Sequence, residues 1–286
     1  MTFRQWRDLR LLGLAFVWVS MAHVACARPA EEKVQVAPEL AGAWLKPAQN
    51  WDGRTVVLLH GFADDMNGPG DVMKHLAEAL VDAGIANLRI NFRGEGDRAR
   101  TDIQSTLETR VRDTEAARAF VLEQSGVAAT HIGVMGSSLG AATAIVVGGR
   151  NPQAFRTMVL WSSPGGDLEK YMVESQAGRI AIEKGSYTED VPGWKRITTY
   201  RAYYESFRGV NLDALLAKYP GAFLSVRGTN DYLPPHEAEF LKVVPGRPAE
   251  ALLIGGADHM LNGLEAGSKE TAAAIAATVA WMKRTL

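Results

Sequence analysis

A serine, an aspartate and a histidine are the side chains of this chain whose types and settings point to covalent chemistry. Ser138 lies in Gly136-Ser137-Ser138-Leu139-Gly140, where a short apolar run passes into an Ala-rich segment. Glycine and serine are turn formers, so a plain turn is the simplest reading. The sharper reading is a Gly-x-Ser-x-Gly elbow between strand and helix, which exposes the central serine on a strained backbone. Ser138 is then the reagent and Ser137 the variable position. A serine hydroxyl is a weak nucleophile at neutral pH and needs an adjacent base. His259, in "GGADHML", can take the Ser138 proton and later pass it to a leaving group. Asp231, in "RGTNDYLPP", can hold that imidazole in one tautomer and stabilise its charged form. The Leu139 backbone N–H would open the new helix and point at a developing oxyanion.

These residues need a scaffold that brings distant parts of the chain together. "TVVLL" (55–59), "IANLRINF" (85–92), "IGVMG" (132–136), "TMVLWSS" (157–163), "AFLSVRG" (222–228) and "ALLIGG" (251–256) read as short buried strands. Between them, 71–83, 105–125 and 138–149 read as helices, and the C-terminal segment from Lys269 is a further helix. Asp71 is the expected N-cap of the first, with Gly84 ending it. Residues 28–54 read as an irregular lead-in, with an edge strand in "LAGAWLKP". Continuous apolar strands alternating with helices predict a mostly parallel, doubly wound α/β sheet covered on both faces. Ligands of such sheets bind beyond the carboxyl ends of the strands, where Ser138, Asp231 and His259 all fall. Residues 165–210 break the rhythm and hold five of the seven tyrosines, with Trp194 and Phe207. This segment is expected to be a lid insertion whose Trp194, Tyr203 and Tyr204 line a substrate pocket; packing of the lid on itself is the alternative.

The chain order Ser…Asp…His, with "LLHGF", "NFRGEGD", "GSSLG", "VRGTND" and "GADH" in sequence, resembles the α/β-hydrolase superfamily from about residue 40 onward. The pattern is most similar to small lidded esterases, including cinnamoyl and feruloyl esterases and serine-aminopeptidase-like hydrolases. The resemblance implies a serine hydrolase acting on a small-molecule carboxylic ester through an acyl-enzyme, without a cofactor. A peptidase or amidase using the same triad, and an inactive binding protein on the same fold, are the alternatives. It also implies a second oxyanion donor at the Phe62 N–H, after the His-Gly turn, and a structural role for His60. One departure stands out: many relatives have serine after the second glycine of "RGEG", where this chain has Asp97 and Arg98.

Other candidates compete for these roles. Asp167 rivals Asp231, because some members of the superfamily carry the acid one strand earlier. The Asp64-Asp65 pair could bind a substrate amine, which would favour a peptidase. Asp258 reads as a turn residue, His75 as a helix position, His131 as lying at the wrong end of a strand, and His236 as a helix cap. No His/Cys/carboxylate group has metal-ligand spacing, so no metal is expected. No basic stripe suggests a nucleic-acid partner. Oligomeric state is not legible.

At the N-terminus, Arg4, Arg7 and Arg10 precede the apolar run "LLGLAFVWVSMAHVA" and then Ala25-Cys26-Ala27. This reads as a signal peptide over 1–27, leaving 28–286 as one exported hydrolase domain, periplasmic or secreted. The run is shorter than the roughly 20 residues needed to cross a bilayer, so no membrane span is expected after cleavage. Removing the three arginines and Asp8 takes the formal charge from −1 to −3. The only cysteine, Cys26, would leave with the leader. A lipoprotein anchored at Cys26 is the alternative, although His23 stands where such signals usually carry leucine. Intact-mass analysis of protein from the native host should therefore give a chain beginning at Arg28 with no lipid. A chain beginning at Cys26 with attached diacylglycerol would replace this reading with the anchored one.

Overall fold

The computed structural model describes residues 29–124, 126–191 and 194–286, and the expected leader lies outside them. In chain order the elements are β1 (Glu32–Ala37), β2 (Leu40–Leu45), β3 (Thr55–Leu59), α1 (Val72–Asp82), β4 (Ala86–Ile90), β5 (Asp102–Ile103) and α2 (Leu107–Glu123). There follow β6 (Ile132–Ser137), α3 (Leu139–Arg150), β7 (Thr157–Trp161), α4 (Gln176–Lys184), β8 (Ser186–Asp190), β9 (Arg196–Tyr200) and α5 (Arg201–Glu205). The chain ends with α6 (Leu212–Leu216), β10 (Ala222–Gly228), α7 (Glu237–Val243), β11 (Ala249–Ile254) and α8 (Lys269–Thr285).

Eight strands form one sheet in the order β1-β2-β4-β3-β6-β7-β10-β11, parallel from β4 to β11. Successive side chains of a strand face opposite ways, and β3 uses this to join two cores. Val57 and Leu59 enter the layer built with α2 and α3, whereas Val56 and Leu58 enter the layer built with α1 and α8. The chain leaves β3 towards β4 and later returns to β6 on the other side of β3. That reversal opens a crevice past the ends of β3 and β6, between the His60-Gly61-Phe62 turn and Ser138.

The N-terminal segment differs from the expected lead-in. β1 and β2 form an antiparallel hairpin, and β2 lies inside the sheet between β1 and β4. Leu40, Ala43, Trp44 and Leu45 are buried, so a run with a weak alternation is held by its neighbours. Gly42 allows the approach to β4, because a Cβ there would lie 2.8 Å from the Arg89 carbonyl oxygen. Asp71 does occupy the N-cap position of α1, but with φ 61° and no capping hydrogen bond. Its carboxylate instead meets Arg98.

Residues 165–210 carry α4, the β8–β9 hairpin and α5, none of which the sequence reading placed. β9 pairs with β5 in a small second sheet, Asp102 opposite Thr198 and Ile103 opposite Thr199. The inserted segment is thus stitched to the loop that follows β4. Among the described residues no helix is long and apolar enough to cross a membrane.

The tightest constraint lies where α3 begins. A Cβ on Gly140 would sit 2.2 Å from the Leu59 carbonyl oxygen and 2.6 Å from that of His60. Gly140→Ala should therefore lower stability by about 1–3 kcal/mol through overpacking against rigid backbone. Urea unfolding checks this, and an unchanged midpoint would show that the junction has room to spare.

Candidate active site

Ser138 is the residue between β6 and α3, held at φ 52° and ψ −117°. Its N–H donates to the Trp161 carbonyl at 2.8 Å, and its carbonyl accepts from Ala141 and Ala142 at the start of α3. These bonds fix a backbone in which a non-glycine residue is strained. The Ser138 hydroxyl lies 2.9 Å from His259 Nε2, and His259 Nδ1 lies 2.7 Å from Asp231 Oδ1. Because the Asp231 carboxylate can only accept, Nδ1 carries the proton and Nε2 is free to accept from Ser138. Asp231 also accepts the Leu233 N–H at 2.9 Å and Arg227 Nη1 at 2.8 Å. Burial by itself would raise the Asp231 carboxyl, but the His259 hydrogen bond and charge, with Leu233 and Arg227, hold it below its ordinary value. Arg227 is itself buried and donates to Glu237 at 2.6 Å and to the Ser163 carbonyl. The Tyr232 ring lies 4.3 Å from the His259 ring.

Phe62 and Leu139 line the same cavity as Ser138. Leu139 is the first residue of α3, so its N–H is one of the helix's orphan donors. Among the described residues neither this N–H nor that of Phe62 has a hydrogen-bond partner. The loop bearing Phe62 is held from beneath by a polar network. Ala63, at φ 54°, donates its N–H to Glu95 Oε2 at 2.9 Å. Its carbonyl accepts Lys195 Nζ at 2.8 Å, from the turn of the β8–β9 hairpin. Glu95 Oε1 accepts from Ser105 at 2.7 Å and is ion-paired with Arg110, both partners fully buried. Arg110 also donates to the His60 carbonyl and lies 3.8 Å over the Phe92 ring. Burial alone would raise Glu95, but Arg110, His60 and the Ser105 and Ala63 hydrogen bonds hold its carboxyl below the ordinary value.

His60 belongs to this support. Its Nδ1 donates to the Gly61 carbonyl at 2.8 Å and its Nε2 accepts the Phe92 N–H at 3.1 Å. Burial pushes the imidazole down to about 4, with Arg110 adding to the effect against the pull of Glu95. The Glu95–Arg110 pair was missed by sequence reasoning. Glu95 has no assigned role in "NFRGEGD", and nothing in the sequence marks Arg110 for burial.

Other expectations separate in the same way. Asp167 accepts the Glu169 N–H at 3.0 Å and bridges to Asn211, away from His259. Asp64 and Asp65 are both bound by Arg98, at 3.2 Å each. The departure at Asp97-Arg98 therefore supplies the cation that occupies the carboxylate pair. Asp258 accepts from Met260 and Asn262 as a turn residue. His75 is exposed on α1, and His131 precedes β6. His236 does occupy the N-cap position of α7, but its side chain makes no capping hydrogen bond; its Nε2 is bound to Asp213 instead. Trp194 is also corrected: it is 49% exposed, stands over Lys195, and lies outside the cavity lining. Aromatic density along the sequence does not tell which rings turn inward. Tyr203, Tyr204 and Phe207 do line the cavity, which measures about 340 Å³ and includes Leu168, Met172 and Glu189. The Tyr203 ring sits 5.4 Å from Phe62, linking lid and loop. Among the described residues no group of three or more His, Cys, Asp or Glu could hold a metal ion.

The serine aminopeptidase (S33) family model matches residues 52–184. No curated protein sequence matches the chain. Among solved structures, Est1E from Butyrivibrio proteoclasticus superposes with a TM-score of 0.67 at 16% identity, over 90% of this chain and 99% of that one. An esterase domain from Rhodothermus marinus gives 0.62 at 20% identity, over 86% and 92%. A dienelactone hydrolase from Anabaena variabilis gives 0.60 at 17%, over 91% and 99%. The chain has the α/β-hydrolase fold. Within that fold the strand order around β3 and the elbow at Ser138 are the parts that set the site, and the β8–β9 hairpin is what the insertion adds over it.

A buried neutral histidine makes the α/β-hydrolase body acid-sensitive in a defined window. The folded His60 binds its proton near 4, whereas an unfolded histidine does so near 6.5. The unfolded state therefore binds more protons between those values, and stability falls as pH drops from about 6.5 to about 4. Glu95, also lowered, adds to the loss only below about 4.5. The slope of unfolding free energy against pH between 6.5 and 4.5 should be shallower in His60→Gln than in the wild type. Equal slopes would mean that His60 does not supply this acid sensitivity.

Proposed function

We propose that this protein is a serine hydrolase that cleaves carboxylic esters through an acyl-enzyme. The observation that carries this reading is the continuous hydrogen-bonded line from Ser138 through His259 to Asp231. In the first half-reaction Ser138 Oγ attacks the ester carbonyl and His259 Nε2 takes the hydroxyl proton. The tetrahedral oxyanion is received by the Leu139 and Phe62 N–H groups, each such donor being worth about 2.7–4 kcal/mol. His259 then protonates the departing alcohol. In the second half-reaction a water attacks the acyl-serine with His259 again taking the proton, and His259 returns it to Ser138 Oγ as the acyl C–O bond breaks and the acid is released. Asp231 stays ionised throughout and holds the imidazole. Tyr203 and Tyr204 supply cavity wall for the substrate, since ligand sites are mostly apolar with a few placed polar groups. No step calls for a cofactor. The expected leader makes export to the periplasm or beyond part of the same proposal.

A peptidase with this triad would need a carboxylate for the substrate's amine. Asp64 and Asp65 are engaged by Arg98, which favours the ester reading. An inactive binding protein would have no cause to keep the strained Ser138 backbone aligned with His259.

The decisive experiment sets p-nitrophenyl acyl esters and hydroxycinnamate methyl esters against aminoacyl p-nitroanilides. Ester turnover is expected, with kcat/KM rising from acid to neutral pH on one ionisation, because the base must be neutral. Ser138→Ala should lower kcat by up to about 10⁶-fold. Asp231→Asn should cost roughly 10⁴-fold and Asp167→Asn little. A fluorophosphonate probe that still labels Ser138→Ala would discard the assignment, and turnover of anilides alone would turn it to the peptidase.

A further inference from the structure

One wall residue of the cavity around Ser138 belongs to a second His–Asp pair that the ester-cleavage scheme does not use. His236 is in the cavity wall just before α7, and its partner Asp213 is on α6. Nε2 of His236 lies 2.8 and 2.9 Å from the two carboxylate oxygens of Asp213. Asp213 Oδ1 also accepts the Gly166 N–H at 3.3 Å, which ties the carboxylate to the first turn of the insertion. The ring is further held edge-on against Phe240, 4.9 Å away. Gly165 leaves the room it needs, because a Cβ there would fall 2.1 Å from Cδ2. The orientation of this imidazole is therefore determined on three sides.

That fixed orientation has a chemical consequence. A carboxylate facing Nε2 makes Nε2 the protonated nitrogen of the neutral ring, so Nδ1 keeps its lone pair and acts as an acceptor. Among the described residues Nδ1 has no partner. Most of the other lining groups are apolar or aromatic, including Phe62, Leu168, Met172, Phe207, Leu233 and Pro234. An acceptor in such a wall selects a ligand that brings a hydrogen. A carbonyl or ether cannot do so, and an ammonium group would be drawn to Glu189, the carboxylate of the same wall, rather than to a neutral imidazole. A hydroxyl meets both conditions.

We propose that His236, oriented by Asp213, is a specificity-determining residue that reads a hydroxyl group on the acyl portion of the ester. This inference rests on the reading of Ser138 as the acylated nucleophile. Without it the pair would only pin α6 to α7, a task that Nε2 alone performs.

The test uses methyl esters, whose alcohol is too small to fill the cavity. The pairs are 3-(4-hydroxyphenyl)propanoate against 3-phenylpropanoate, and ω-hydroxyalkanoates of four to eight carbons against the matching alkanoates. The wild type should favour the hydroxylated member of at least one pair by about 10-fold in kcat/KM, mainly through KM, the scale of one satisfied hydrogen bond. His236→Leu should bring that ratio to about one. Asp213→Asn, which no longer dictates the tautomer, should reduce it as well and serves if His236→Leu does not fold. The same pairs are then titrated by calorimetry into Ser138→Ala, where no hydrolysis intervenes. A wild-type ratio of one in every pair, or a preference that survives His236→Leu and Asp213→Asn, overturns the proposal. Hydrolysis without discrimination would leave the ester reading standing and remove this one. Discrimination in binding without hydrolysis of any ester would do the reverse.

Discussion

The start of α3 lies almost in contact with the end of β3, and the site depends on that approach. Gly140 has no Cβ, so the Leu59 and His60 carbonyls can lie against the helix where any side chain would collide. The approach brings the first turn of α3 and the turn after β3 to one cavity. It is also why Phe62 and Leu139, some 80 residues apart in sequence, line one cavity. The cost is borne by backbone: Ser138 is held at positive φ by hydrogen bonds from both sides of the elbow.

Close approach alone does not orient a loop. The Phe62 turn is kept in place by groups that could not be exchanged singly. Glu95 and Arg110 form a fully buried pair, and removing one partner of such a pair typically costs about 3–5 kcal/mol because the other charge is left unpaired. Each partner also meets the loop directly, Glu95 at the Ala63 N–H and Arg110 at the His60 carbonyl. Lys195 meets the same Ala63 from above, through its carbonyl. The lid hairpin therefore holds the same residue as Glu95, and the position of the lid is tied to that of the loop.

A comparable arrangement stands behind Asp231. Asp231 is nearly sealed from solvent and is bound by His259, Leu233 and Arg227. Arg227 in turn uses its remaining donors on Glu237 and the Ser163 carbonyl. Buried charges are tolerated here because every one of them is paired and hydrogen-bonded. The cavity wall is different: Tyr203 and His236 line it, and neither the Tyr203 hydroxyl nor His236 Nδ1 has a partner among the described residues.

Much of this was legible in the chain order of residues. Short apolar strands separated by amphipathic helices determined a doubly wound sheet, because covering both faces of a parallel sheet demands that pattern. Ser138, Asp231 and His259 were legible because each follows an apolar run, and topology delivers the ends of such runs to one edge. The hairpin of β1 and β2, by contrast, was decided by pairing with β4, and a strand that depends on its neighbours carries little signal of its own. Which aromatic rings of 165–210 turn inward was decided by the folded insertion, where Tyr203 lines the cavity while Trp194 is exposed. The burial of Arg110, the binding of Asp64 and Asp65 by Arg98, and the turning of His236 towards Asp213 were likewise tertiary decisions. A charged residue in a sequence looks the same whether water or a partner from another element will surround it, and only the folded chain supplies that partner.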